Sequence, residues 1–535
     1  MSTANQYRVR FKLVTGFPTS AEARGRGRKG WKKQVLLFDE PSTERNNSAL
    51  IRLRPGHDNE AQPSSEDDSE TTRRVAIHRQ RAVSAIHPMT ILQKGNSDPF
   101  NTSVIPIEAE TNETLLFYQS NVLPVLVACM EAGGVSSSVG TAAWISTLPS
   151  LLNEGTAYGF LARSAAAMSC SAGAEPLSRL AVNALTYKNK MSRMLRAYLA
   201  GGEQHLFKPR VYNIVVSMLI TAIFENGLEE AAVHARMLEY IMYKLNSRTS
   251  KEVDLGILYK VMWHDFHRAS KTLARMTFNG DWVANLFRPG WQQALKDLPD
   301  LSGQAEIGLD KSIKEDSDRR LRALFINLRE LIEILTLLML IASPRASTQI
   351  SVTQWFMFCL GQLIDGYVDS IEALGEGTES TSQYITSMHD WDCYTKAYTC
   401  LAALWWSRCL LKMENAPTGP ASAIFNASEK IIPALKNALI QSSLHSDGLD
   451  DLTNGRARLW ALYVGAVAEQ HIGIGRVSRT GRPCLGMEES WFVGELQAQA
   501  KKMHLLTWSD LRRVLQGFLY SDGIQPHGST WFTGA

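Results

Sequence analysis

Reactive side chains are sparse in this 535-residue sequence, and where they cluster their spacing limits the chemistry open to them. His264-Asp265-Phe266-His267 would place two imidazoles at i, i+3 on a helix. A helical zinc pair takes i, i+4 with a third ligand elsewhere. The segment therefore reads as a helix face with Trp263 turned to the core and polar neighbours around it. His389-Asp390-Trp391-Asp392 has the composition of an acid/base cluster, but it closely follows the loop Gly375–Thr381, where helix caps and solvated carboxylates explain it equally well. Cys393, Cys400 and Cys409 are spaced by seven and nine residues on one helical stretch, which suits a buried face and not tetrahedral metal ligation. There is no G-x-S-x-G elbow and no Walker A loop. Gly25, Gly27 and Gly30 spell G-x-G-x-x-G without a βαβ unit around them. Gly473-Ile474-Gly475 begins the same pattern without completing it, and Gly133-Gly134 with Ser136–Ser138 lies in a loop that no strand precedes. No catalytic residue, metal ligand or cofactor is assigned, and the chain does not read as an enzyme.

The densest chemistry is electrostatic. Residues 1–33 hold nine basic residues against the single acidic Glu22, a net +8. The whole chain's +3 less this +8 leaves −5 on the remainder. The candidate contacts are Arg24, Arg26, Arg28, Lys29, Lys32 and Lys33. Glycine between arginines lets the backbone lie deep in a narrow groove, where the guanidinium groups follow the enhanced negative potential of A·T-rich DNA. The run is similar to an AT-hook, with Gly27 where the usual R-G-R-P core has proline. A nuclear-import signal or sequence-independent polyanion contact fits the same residues, as does a solvated run with no role. Arg73–Arg81 is a second basic stretch, and the acidic Asp58–Glu70 between the two reads as a linker or an activation-type segment.

Residues 1–97 are expected to be mostly disordered, apart from a short alternating run at Tyr7–Val14, because they bury too little apolar surface to offset chain entropy. Residues 98–535 read as one all-α body. Leu321, Leu324, Phe325, Leu328, Leu331, Ile332 and Leu335 recur at helical spacing over Arg320–Ile341, with Arg322, Arg329, Glu330 and Glu333 off that stripe. Leu177–Leu199 repeats the pattern and stops at Gly201-Gly202. Thr507-Trp508-Ser509-Asp510 opens a helix expected to run through Leu511, Leu515, Phe518 and Leu519. Breakers fall at Asn279-Gly280, Leu298–Gly303, Gly375–Thr381, Asn415–Pro420 and Ser446–Gly448, and a subdomain seam is expected near residues 298–311.

The longest apolar stretches, Val211–Phe224 and Ile334–Ala342, fall short of the ~18–20 residues of a spanning helix. They read as buried helices of a soluble protein with no membrane partner. Seven widely spaced cysteines, an odd number, argue against a disulfide framework. With no leader-like apolar segment at the start, the sequons at Asn46, Asn101, Asn112 and Asn426 read as chance. Tryptophans such as Trp263, Trp405, Trp406, Trp460 and Trp508 lie in helical patterns and are expected in the core, where a pocket beside some of them would take an apolar ligand.

Several motifs in shared order resemble the fungal-specific transcription factor domain family, and more narrowly its zinc-cluster-lacking branch, often labelled "tachykinin family". They are Asp98-Pro99-Phe100-Asn101 with Ile105-Pro106-Ile107, Glu225 with His234, Asp265 with Ala269, Leu459–Glu469, Trp491-Phe492, Thr507-Trp508, and Gly517-Phe518-Leu519-Tyr520. The resemblance covers about residues 98–520. It implies an all-α regulatory domain, a nuclear location and control of transcription, with other transcription factors or a second copy as partners and a small effector as a further one. The family carries no catalytic residues to transfer. DNA would be reached through the basic arm or through a zinc-cluster partner. A scaffold or co-regulator that never touches DNA has the same body, and a helical-bundle enzyme is the third class.

Overall fold

Apolar periodicity decides where the helices run, and local capping decides where they stop. The computed structural model describes residues 103–125, 148–171, 178–248, 253–297, 319–340, 346–376, 383–411, 426–445, 452–480 and 490–520. The chain divides into two units, Met1–Ser84 and Ala85–Ala535, and all described residues belong to the second. The described residues are 86% helical and contain no strand, so this body is all-α. The expected seam at 298–311 lies outside the described residues.

The elements are α1 (Ala109–Phe117, continued by a π-turn at Tyr118–Val122), α2 (Glu154–Ser171), α3 (Arg179–Leu199), α4 (Pro209–Phe224), α5 (Leu228–Arg248), α6 (Leu255–Thr272), α7 (Asp281–Asp297), α8 (Arg319–Leu340), α9 (Ala346–Glu376), α10 (Gln383–Leu410), α11 (Ser428–Leu444), α12 (Leu452–Thr480), α13 (Trp491–Lys502) and α14 (Trp508–Leu515), with short 3₁₀ turns before α2 and α4. α2 packs against α1, α3 and α4. α6 packs against α4, α5, α9 and α11. α9 and α10 lie against each other, and α12 packs on α10, α11, α13 and α14. Neighbours in sequence are therefore mostly neighbours in space, as short connections favour.

Local chemistry explains the boundaries. Ser178 caps α3 by accepting from the Ala181 amide at 3.3 Å, and Gly202, at φ +95°, takes the left-handed conformation just past its end. α4 begins with Pro209, whose missing N–H is no loss in a first turn. It is buried from Val211 to Phe224 except at Asn213. Ser217 and Thr221 are tolerated there because their hydroxyls bond back to the Asn213 and Ser217 carbonyls, at 3.0 and 2.7 Å. Among the described residues no helix is long and apolar enough to cross a membrane.

The C-terminal helix differs from expectation. Thr507 is its N-cap, with Oγ1 accepting from the Asp510 amide at 3.2 Å and its hydroxyl donating to Asp510 Oδ2 at 2.6 Å. α14 ends at Leu515, and Phe518 and Leu519 enter the core from a turn instead. Gly517 N–H and Phe518 N–H bond to the carbonyls three residues back, Val514 and Leu515, at 3.0 Å each, closing the helix early. α13 lies close on α12 because Gly465 has no side chain. A Cβ there would sit 2.1 Å from Cδ1 of the fully buried Phe492.

Candidate functional site

Arg24, Arg26, Arg28, Lys29, Lys32 and Lys33 lie outside the described residues, as do Arg73–Arg81, Asp58–Glu70, Tyr7–Val14, the Gly25/Gly27/Gly30 pattern and Gly133-Gly134. Gly473-Ile474-Gly475 falls within helix α12, so it forms no phosphate loop.

The His264–His267 segment sits on α6, which is buried from Val261 to Ser270 on every side and not on one face only. Asp265 and Arg268 are absorbed by mutual bonding. Asp265, fully buried, accepts from Arg268 Nε at 2.7 Å and from the backbone N–H groups of Thr277 and Phe278 at 2.6 and 3.1 Å. Arg268 in turn donates to the Arg275 carbonyl at 2.8 Å. The pair thus clamps the chain that reverses between α6 and α7. His264 lies edge-on to Phe224 with ring centroids 6.3 Å apart, and burial, followed by the charges of Lys260 and Arg163, holds it well below the usual imidazole range. His267 packs edge-on to Trp263 at 5.1 Å and is likewise kept neutral, chiefly by burial. Both rings act as core side chains.

Arg163 on α2 is buried with its guanidinium 4.6 Å from the Phe160 ring centre and 5.6 Å from that of Tyr118, and burial lowers its pKa. Its charge holds Lys260 below the usual ammonium range. Lys260 is exposed as a residue, so charge and not burial governs that direction. Glu239 on α5 is pushed up to about 7 by burial and, secondarily, by the Asp265 charge.

The second sequence cluster is not at a helix cap. α10 begins at Gln383, so His389–Asp392 lie inside it, where Trp391 is buried and Asp392 pairs with Lys396 one turn on at 3.0 Å. The capping explanation fails because the helix starts well before His389. Cys393, Cys400 and Cys409 are each buried in α10, but nine residues make two and a half turns, so Cys400 and Cys409 lie on opposite sides of a helix that is buried all round there, and not on one face. Among the described residues, no group of three or more His, Cys, Asp or Glu is arranged to hold a metal ion.

Among the described residues, one cavity lies between α8 and the turn after α14. Arg329, Ile332 and Glu333 share one face of α8 and, with Gln516, Phe518, Leu519 and Tyr520, line a cavity of about 310 Å³. Arg329 Nη1 and Glu333 Oε2 are buried behind its surface without a hydrogen-bond partner. Burial lowers the Arg329 pKa against the opposing pull of Glu333. Aromatic stacking builds the back of the site. Phe518 stacks on Trp460 at 5.2 Å and 10°, and Trp460 Nε1–H donates to the Leu519 carbonyl at 3.0 Å. Tyr520 stacks on Trp406 at 6.3 Å. The sequence reading placed Arg329 and Glu333 only as residues off the apolar stripe. Their i, i+4 spacing beside a stripe was the one local signal, and the opposite wall comes from residues nearly 200 positions later.

Comparison with protein-family models, with curated proteins and with solved structures finds no match.

Proposed function

We propose that the protein is a nuclear regulator of transcription, in which the all-α body is a partner-binding regulatory domain and any DNA contact runs through the basic arm at Arg24–Lys33. The observation that supports this reading is what the motif residues do. Glu225 pairs with Lys188 at 2.6 Å, His234 lies 3.4 Å from Glu230, and Asp265 clamps the turn after α6. Gly465 admits Phe492, Trp460 anchors the turn at Leu519, and Thr507 caps α14. Residues scattered over nearly 300 positions serve the architecture and converge on no reacting centre, as suits a domain that regulates by binding. The shared motif order favours a transcriptional body over an unrelated helical one.

The test is fluorescence anisotropy of the full-length chain on A·T-rich and G·C-rich duplexes over a salt series, against the variant Arg26→Glu/Arg28→Glu/Lys29→Glu. An arm that touches phosphates through these three residues loses about 2.7 from the slope of log affinity on log salt, at ~0.9 per contact. Preference for A·T that survives at physiological salt assigns the arm to the minor groove. Unchanged binding in the variant overturns the arm as the DNA contact. Absence of binding by the parent chain favours the co-regulator, brought to promoters by another protein.

A further inference from the structure

We infer that the exposed basic surface at the Glu203–His205 turn, the start of α4 and the last turns of α5 docks a short acidic segment of a partner protein, whose carboxylates meet Lys208, Arg210, Lys244 and Arg248. The assignment rests on the reading of the body as a partner-binding domain and supplies the chemistry of that partner. Charge gathers here against the sign of the surroundings. Residues 179–210 carry seven Lys or Arg and the single acidic Glu203, a net +6, while residues 98–535 as a whole are net −4. Two of the seven are already paired, Arg179 with Glu110 and Glu113, and Lys188 with Glu225 and Glu230. Lys208 and Arg210 are exposed, as are Lys244 and Arg248, and among the described residues none of these four has a carboxylate partner.

Contacts between the turn and α5 bring the cations together. Arg248 lies over the Phe207 ring, 4.4 Å from its centre, and the Tyr240 hydroxyl donates to Glu203 Oε1 at 3.1 Å. Lys244 lies 5.7 Å from the Tyr240 ring centre, and Lys208 Nζ is 3.4 Å from His205 Nδ1. Glu203 is thus held by Tyr240. Asp254, whose charge reaches Tyr212 in the first turn of α4, is held by the Gly256 and Ile257 amides at 2.9 and 3.1 Å, so neither carboxylate is paired with a cation. Lys244 and Arg248, at i, i+4, stand about 6 Å apart along the helix, close to the ~6.6 Å between alternate side chains of an extended peptide. Tyr240, Tyr243 and Lys244 share one face of α5, and Tyr243 is 50% exposed, so an apolar side chain among the acids finds a ring beside the charges. A segment of a few residues stays on this surface. A duplex runs past it and meets a body that is net −10 outside residues 179–210. At a screening length of ~8 Å the short segment feels mainly the patch, which favours a peptide over a long polyanion.

The experiment is fluorescence anisotropy of the full-length chain carrying Arg26→Glu/Arg28→Glu/Lys29→Glu, which reduces the arm's own attraction for anions. The probes are a labelled nonapeptide of four Glu-Asp pairs about a central leucine and a labelled thymidylate oligonucleotide of equal charge. The peptide should bind more tightly than the oligonucleotide. Lys208→Gln/Lys244→Gln/Arg248→Gln should weaken the peptide by about tenfold or more, as three surface charges acting together allow. Lys430→Gln/Lys501→Gln/Lys502→Gln removes the same charge from other exposed positions and should cost less than about twofold. All six side chains are exposed, and circular dichroism checks that both variants fold. Failure of the peptide to bind, or equal losses in the two triple variants, would overturn the assignment. An oligonucleotide that binds as tightly and is lost in the same variant would overturn it too, giving the surface to nucleic acid. The duplex series reads the arm separately, so a body that ignores the peptide leaves the regulator reading standing without this partner.

Discussion

Removing the Asp265 carboxylate should be among the most damaging single changes in the body, and its effect should exceed that of removing its ionic partner. Asp265 is fully buried and accepts three hydrogen bonds, one from Arg268 and two from the Thr277 and Phe278 amides. Asp265→Ala leaves the buried Arg268 without its counter-ion, a loss of about 3–5 kcal/mol for a broken buried pair. It also strands backbone donors, at roughly 1–3 kcal/mol each where no water reaches them. These terms overlap, so a total near 5 kcal/mol is the working figure. Arg268→Met removes one donor and leaves the carboxylate its two amides, which points to about 2 kcal/mol. In a body of this size a kcal/mol shifts the melting temperature by about 1–2 °C, extrapolating from smaller domains. Thermal unfolding by circular dichroism should then place Asp265→Ala roughly 5–10 °C below the parent and Arg268→Met roughly 2–4 °C below it. Hydrogen exchange supplies a local reading that does not assume two-state unfolding. The Thr277 and Phe278 amides should lose protection in Asp265→Asn, while those of α13 keep theirs. If Asp265→Asn melts with the parent, or Arg268→Met is as damaging as Asp265→Ala, the carboxylate is not what holds the turn.

Glu239 gives a pH signature. Its carboxyl is pushed up to about 7 by burial and the Asp265 charge, so the folded state holds a proton that the unfolded state releases near its ordinary value. That contribution is complete below the unfolded value and is lost as pH rises through about 7. Glu239→Gln should therefore match the parent near pH 4, gain on it as pH rises to 7, and keep a constant lead above, as measured by melting temperature; a pH-independent gap would contradict this. Gly465→Ala drives a Cβ into the Phe492 ring and should destabilise by about 1–3 kcal/mol or more, with Phe492→Leu in the same chain restoring much of the loss in urea titrations. Among the described residues Arg163 has aromatic rings and no paired carboxylate against its guanidinium, so Arg163→Met, which keeps the volume, should leave the melting temperature unchanged or raise it. A drop of several degrees would show that the cation–ring contacts outweigh the desolvation they oppose.

Where a single helix decided the outcome, the sequence was legible. The stripe from Leu321 to Leu335 marks α8, whose observed span is Arg319–Leu340, and the Thr507–Asp510 spacing marks the cap of α14. Where partners come from other elements, it was not. The His264–His267 run reads as a single helix face with Trp263 toward the core and polar neighbours around it. Its burial depends on Thr277 and Phe278 beyond the helix end and on α4, α5, α9 and α11 packed around it. His389–Asp392 looked like a cap because helical propensity does not locate a start six residues earlier. Phe518 and Leu519 fit a helical continuation, yet the anchor that draws them into a turn is Trp460, 59 residues before Leu519. The cavity needed both of these misread edges, the charged side of α8 and the turn after α14, and so had no local signature.

The dependence of Trp460 on Phe518 and Leu519 also has a temporal side. A ribosome synthesising at ~5–20 residues per second takes about 3–12 s to travel from Trp460 to Phe518. During that interval Trp460 lacks its stacking partner and the acceptor for its indole N–H, and Trp406 lacks Tyr520. The nascent chain thus exposes an aromatic face to chaperones and proteases until the segment through Tyr520 arrives. A premature stop anywhere between α12 and that turn would leave the exposure permanent, so such truncations should be cleared from the cell and not accumulate as partly active fragments.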